Sequence, residues 1–238
     1  ITWNWQTSFR VTNIVAVQRP GTKYVDVTYD IVSDVTNGVP IALTVTSNGV
    51  AIATNATTGA VGTSVLPGDG KVMTWDAGAN WNGNVGSLVF SVKHASETQF
   101  VSSISRTIDT RDYKLTVASA QGSPSPAVGT NLYAWGSSVT CSVARTSLVA
   151  GVNWRCTGWT GTGSVPAAGT TNITTNIALT GLVSSITWNW QTSFRITNVV
   201  AAQQIGAKTV VITYDIVSDV SSTAPISLVV TSNGVVLA

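Results

Sequence analysis

Apolar and polar residues alternate through most of this chain. In Val25-Asp26-Val27-Thr28-Tyr29-Asp30-Ile31 the odd positions are apolar and the even ones polar, which predicts a strand covered on one face. No stretch keeps apolar residues at spacings of three and four, so no helix longer than a turn is expected. Leu43–Ser47 and Val50–Ala53 flank Asn48-Gly49, the pair best suited to a two-residue turn of positive φ. That hairpin sets Val45 opposite Ile52, and its counterpart around Asn233-Gly234 sets Val230 opposite Leu237. Further strands are predicted at Lys71–Trp75 and Gly86–His94, with a turn at Leu66–Gly70. Beyond them come a strand at Tyr113–Val117, a turn region at Gly122–Pro126 and a closing strand at Ile186–Gln191, with Ile186, Trp188 and Trp190 on one face.

The chain repeats itself. Residues 1–53 recur without a gap as residues 186–238, with roughly two thirds of positions identical, as tandem duplication produces. Apolar positions change mildly between the copies: Val11 to Ile196, Ile14 to Val199, Val27 to Ile212 and Ile52 to Leu237. Arg19 to Gln204, Tyr24 to Thr209 and Asp26 to Val211 are harsher, as a tolerant surface allows, which removes Arg19 and Asp26 from any activity the copies share.

The resulting expectation is an all-β chain of tandem small β domains. Residues 9–110 read as a sandwich of the immunoglobulin or fibronectin type, from short strands separated by turn residues. Residues 111–194 form a second module, and Ala95–Asp112, which gathers Glu97, Arg106, Asp109, Arg111 and Asp112, reads as the connection. Residues 1–8 read as the closing strand of a preceding module of the second kind, and residues 195–238 as the first part of a second sandwich. The chain is thus expected to be a window on a longer array, since half a sandwich leaves an apolar face wet at roughly 25 cal/mol per Å².

Composition narrows the function. Charged residues make up 9% of the chain, against about 25% ordinarily, with one His and a net charge of +2. A nucleic-acid partner would need a basic face, and acid–base chemistry is poorly supplied. No run of about 18 apolar residues exists, so no membrane span is expected. His94 has no Gly-x-Ser-x-Gly elbow to serve, and paired carboxylates are hard to assemble, so no catalytic residues, no enzyme and no cofactor are expected.

Cys141 and Cys156 are the sharpest local signal. With Ser138–Arg145 and Val152–Trp159 as arms of a hairpin joined through Thr146–Gly151, a symmetric register sets the two sulfurs opposite each other, which predicts a disulfide and an oxidising compartment. Asp76, Asn80, Asn82 and Asn84 make an oxygen-rich loop around Gly83. It is a weak calcium candidate with a single carboxylate, and a turn buttressed by Asx hydrogen bonds is the favoured reading. Asn55-Ala56-Thr57 and Asn172-Ile173-Thr174 match the glycosylation pattern, a frequent coincidence in a Thr-rich chain. Trp3, Trp5, Trp188 and Trp190, on alternate positions of the duplicated strand, point to core or interdomain packing before a ligand platform.

Tyr113-Lys114-Leu115-Thr116-Val117, Gly122, Pro126, Gly129-Thr130, Tyr133, Gly136, Val139-Thr140 and Gly158-Trp159-Thr160-Gly161 together resemble the divergent internalin B-repeat, a small all-β module of bacterial surface proteins. Gly21-Thr22-Lys23, Val27–Asp30 and Trp75–Gly83 are similar to fibronectin or cadherin-like modules of very large secreted bacterial proteins. The resemblance implies a stalk, adhesin or fibre component at the cell surface. The expected function is therefore structural: an extracellular rod or filament that associates with further copies of itself. The alternative is a glycan-binding module in which exposed Trp81, Trp135 or Trp159 stack on sugars.

Overall fold

A computed structural model describes residues 9–96, 101–150, 152–192, 194–218 and 226–236. The chain is all-β and forms tandem small β domains. Residues 1–8, with Trp3 and Trp5, lie outside the described residues.

The first domain contains β1 (Phe9–Gln18), β2 (Tyr24–Ser33), β3 (Val39–Ser47), β4 (Val50–Ile52), β5 (Thr57–Gly59), β6 (Gly62–Val65), β7 (Gly68–Asp76), one helical turn α1 (Ala77–Asn80), β8 (Val85–His94) and β9 (Ser102–Asp109). One sheet runs β1-β2-β7-β5, and the other runs β4-β3-β8-β9 with β6 also on β3. Alternation decides which faces meet. Val25, Val27, Tyr29 and Ile31 of β2 share one core with Met73 and Trp75 of β7 and with Leu43, Val45, Leu88 and Phe90 of the other sheet. Trp75 and Phe90 meet edge to face, with centroids 5.8 Å apart. The Asn48-Gly49 hairpin forms with Val45 opposite Ile52.

Two expectations change. β7 starts at Gly68, inside the predicted turn, because a bulge opposite Tyr29–Ile31 absorbs the glycines and lets the Gly70 amide donate to Asp30 Oδ1 at 2.7 Å. Residues 102–109 are not a connection but β9, paired along β8. Its charge misleads: Arg106 is exposed while Ile108 is buried and Ile104 packs against the core, as a half-covered strand permits.

The second module contains β10 (Tyr113–Ser119), β11 (Gly129–Tyr133), β12 (Ser138–Val139), β13 (Thr146–Val149), β14 (Val152–Thr162), β15 (Ala168–Gly169), β16 (Ile177–Ala178) and β17 (Val183–Thr192). Its main sheet runs β11-β10-β17-β14-β13, with β15 on β14, and β12 pairs with β16. β10 and β17 are parallel, so the first and last strands lie side by side and the rest of the module is their crossover. Leu115, Val117, Cys141, Trp159, Leu179, Ile186 and Trp188 belong to its core, which shares no residue with the first.

The second copy contains β18 (Phe194–Gln203), β19 (Val210–Ser218), β20 (Thr231–Ser232) and β21 (Val235–Val236). β18 and β19 reproduce the β1–β2 register down to its bulge. Asn13 at φ +54 donates to Asp30 at 2.5 Å, and Asn198 at φ +53 donates to Asp215 at 2.6 Å. Thr231 pairs with Val236 as Thr46 pairs with Ala51; Leu237, the predicted partner of Val230, lies outside the described residues.

Candidate functional site

The two domains are joined by a dense set of hydrogen bonds around Asp109–Tyr113. The β1–β2 turn reaches across to the second module. Gly21, at φ +74, donates its amide to the Trp135 carbonyl at 2.8 Å, and Pro20 lies against Gly136, where an added Cβ would sit 3.6 Å away. Positive φ suits glycine, which is why the turn can present this amide.

Gln18 is buried and holds both backbone groups of Asp109. Its Nε2 donates to the Asp109 carbonyl at 2.7 Å, and its Oε1 accepts the Asp109 amide at 2.9 Å. Thr110, also buried, clasps the loop after α1: its hydroxyl donates to the Trp81 carbonyl at 2.5 Å and its amide to the Asn84 carbonyl at 2.8 Å. Lys23 Nζ donates to Asp112 Oδ1 and to Asn82 Oδ1, both at 2.6 Å. Thr110 and Asp112 of the connecting chain are thus tied to the first domain, and Arg111 is tied to Asp109 at the end of β9.

The Asp109 carboxylate is the electrostatic centre. It accepts from the Arg111 amide at 3.0 Å, from Arg111 Nη2 at 2.6 Å and from the Tyr113 hydroxyl at 2.7 Å. Burial pushes its pKa up, but the Arg111 fork and the Tyr113 hydroxyl outweigh burial, and the net position lies below the ordinary aspartate value. Burial and the neighbouring carboxylate raise the Tyr113 phenol. The arrangement ties Asp109, the last residue of β9, to Tyr113, the first residue of β10.

Strand patterning does not reveal this joint, because its residues lie at turns and ends. The internal repeat carries the signal. Gln18, Gly21 and Lys23 persist as Gln203, Gly206 and Lys208, while Arg19, Pro20 and Thr22 between them, and Tyr24 after them, change. Arg19 and Asp26 change together because they form an exposed ion pair, 2.6 Å apart. In the second copy Thr209 instead donates to Gln204 Oε1 at 2.8 Å.

The predicted disulfide is not formed: Cys141 and Cys156 are free, buried thiols. The assumed hairpin register is wrong. A tight turn with Ala150 at φ +49 pairs Thr146 with Arg155, so residues expected in the loop are strand β13. Cys156 then faces Trp190 in β17, while Cys141 exchanges hydrogen bonds with Thr174, its amide donating to Thr174 Oγ1 at 2.9 Å and its carbonyl accepting the Thr174 amide at 2.8 Å. Burial raises the Cys141 thiol.

In the loop considered for calcium, Asp76, Asn80 and Asn82 each place a side-chain oxygen on a protein donor. Asp76 caps α1 by accepting the Ala79 amide at 3.0 Å, Asn80 Oδ1 accepts the Trp75 indole at 3.0 Å, and Asn82 Oδ1 faces the Lys23 ammonium. Asn84 Nδ2 donates to the Asn82 carbonyl at 2.9 Å. Local side chain–backbone bonds account for Asp76 and Asn84 alone, Asn80 and Asn82 being held by the Trp75 and Lys23 side chains, and a cation beside Lys23 would be repelled. Among the described residues no three His, Cys, Asp or Glu side chains converge as metal ligands, and no helix is long and apolar enough to cross a membrane.

The tryptophans divide by burial. Trp188 lies in the second core and Trp190 packs against it, its indole donating to Ser119 Oγ at 2.9 Å. Trp159, offered as a sugar platform, is buried edge-on to Trp188, with centroids 5.8 Å apart. Trp81 packs against the first core, leaving Trp135, at 38% exposure, the open ring of the three. His94 ends β8, edge-on to Phe9 at 5.1 Å, with Ser96 Oγ 3.0 Å from Nδ1. Asn172 spends its amide nitrogen on the Val143 carbonyl at 2.9 Å, an arrangement at odds with a glycan there. No family model matches the chain, and no curated protein or solved structure matches it.

Proposed function

We propose that the chain is a structural, non-catalytic stretch of an extracellular bacterial rod, stalk or filament in which sandwich and B-repeat-like modules alternate. One observation carries this reading: the bonded turn of the joint occurs twice. Around Gly21 it is docked on the second module; around Gly206 the same Gln, Gly and Lys recur on a turn whose Ile205, at the place of Pro20, is fully exposed. Each sandwich therefore carries the fitting for a module after it, and stability follows nearest-neighbour docking.

Self-association is supported by the strand edges. β13 closes one side of its sheet with Leu148 and Val149 exposed and no charged residue on the strand, an edge open to lateral pairing. The placement outside the cell leans on the resemblance of Tyr113–Val117 and Gly158–Gly161 to a surface-protein module; the free cysteines lend it nothing. Negative-stain microscopy of native material tests the proposal. Regular fibres or extended rods are the expected image, and dispersed small globules would remove it.

A further inference from the structure

We propose that Asn48 is a modification site: the folded β3–β4 turn deamidates there without an enzyme, water being the only co-reactant, to an aspartate or isoaspartate. The same turn pair recurs at Asn233-Gly234. Neither an array nor a partner enters the chemistry.

Ring closure at an Asn-Gly pair needs an unheld side-chain amide, a following backbone N–H that donates to nothing, and room around the glycine. Such pairs stand at Asn37, Asn48, Asn82 and Asn233, and the fold treats them differently. Asn82 is held twice: its Oδ1 accepts from Lys23 Nζ at 2.6 Å, and the Gly83 amide donates to the Thr110 carbonyl at 3.2 Å. Gly38 lies hard against β6, where an added Cβ would sit 2.1 Å from Ser64 Oγ. Asn48 has neither restraint. It is exposed at the tip between β3 and β4, and among the described residues neither its side chain nor the Gly49 amide has a hydrogen-bond partner. A Cβ added to Gly49 would meet nothing within 4 Å. Asn48 at φ +49 and Gly49 at φ +80 are the two central residues of the turn, so the ladder passes to Ser47 and Val50 on either side.

The Gly49 nitrogen, deprotonated by hydroxide, attacks Asn48 Cγ. A Cγ–N bond forms, the Cγ–Nδ2 bond breaks, and the lost amide proton leaves through solvent with the side-chain nitrogen as ammonia. Water then opens the five-membered imide, returning a proton to the glycine nitrogen and leaving its oxygen in a carboxylate. Opening at Cγ gives aspartate, and opening at the backbone carbonyl gives isoaspartate. Isoaspartate routes the backbone through the side-chain carbon and so lengthens a turn that sets Ser47 opposite Val50 and Val45 opposite Ile52. β4 pairs with β3 alone among the described residues, while β3 keeps β8 on its other side. Conversion therefore releases β4, leaves the sheet standing and removes one unit from a net charge of +2.

The test keeps the full chain folded in mildly alkaline water enriched in oxygen-18 and maps its peptides by mass. The expected result is loss of the side-chain nitrogen and gain of heavy oxygen at position 48 at least about tenfold faster than at position 82, where the fold must open first. In a guanidinium-unfolded sample the two positions should convert within about threefold of each other, the restraints on Asn82 being gone. The converted, folded chain should exchange amide hydrogens faster at residues 50–52 while residues 88–92 stay protected. A folded-state rate at position 48 no higher than at position 82 would overturn the proposal. So would a tenfold gap that survives unfolding, since local sequence and not the fold would then set it. Unaltered protection at residues 50–52 after conversion would overturn the release of β4.

Discussion

Gly21 and Trp135 belong to different domains, and the amide of one donates to the carbonyl of the other at 2.8 Å. The bond fixes a turn of the first sandwich on the second module at a point where the connecting chain, Thr110–Asp112, is itself held on the first domain's side by Thr110 and Lys23. The bonds on both sides of the link are what a rigid joint would require.

Gln18→Ala isolates the buried part of that joint. The substitution leaves the amide and carbonyl of Asp109 buried without their side-chain partner, a loss of about 1–3 kcal/mol. The expected outcome is a lower urea midpoint and faster proteolysis at residues 110–112, both measurable on the purified chain.

Acid should loosen the same place. The folded Asp109 carboxyl titrates below the ordinary value of about 3.9, so its contribution is fully present above that value and is lost as pH falls through the folded pKa. Stability measured from pH 6 downward should fall below about pH 4. Asp109→Asn should lower stability at neutral pH and flatten the acid limb, while the share carried by Asp26 and Asp30, which are also lowered, remains.

Thiol chemistry separates free cysteines from a bridge. Both sulfurs are buried and the Cys141 thiol is raised, so a disulfide reagent at pH 8 should leave the native chain unlabelled and modify two thiols once guanidinium unfolds it. A denatured, unreduced chain with no titratable thiol would contradict the free state.

Asn80→Ala tests the loop after β7. Asn80 Oδ1 accepts the indole N–H of Trp75, whose side chain is fully buried, and removing that acceptor costs about 1–3 kcal/mol. Calcium or a chelator should leave the melting temperature of the unaltered chain where it was, because Asp76, Asn80 and Asn82 each already place a side-chain oxygen on a protein donor.

The strands were legible because alternation along Val25–Ile31 and the Asn48-Gly49 pair are local facts that tertiary packing only confirms. Ile108 in β9 was hidden by the charges beside it, since a half-exposed strand carries Arg106 on its wet face at no cost. The cysteine pairing failed for a physical reason too. Register follows the tightness of the turn, and a four-residue shift from the symmetric hairpin brings Arg145, not Cys141, to Cys156, whose amide donates to the Arg145 carbonyl. The joint depends on contacts between Gln18 and Asp109 that no periodicity encodes, and only the persistence of Gln203, Gly206 and Lys208 in the second copy marks it.

Residual dipolar couplings from backbone amides of residues 9–96, 102–109 and 113–192 test most directly whether the modules form a rigid link of an array. One alignment tensor fitting both domains, with the Gly21 amide protected from exchange, is the predicted result. Two tensors of unequal magnitude would show the domains tumbling on a loose tether, and a chain so jointed could not serve as a rod.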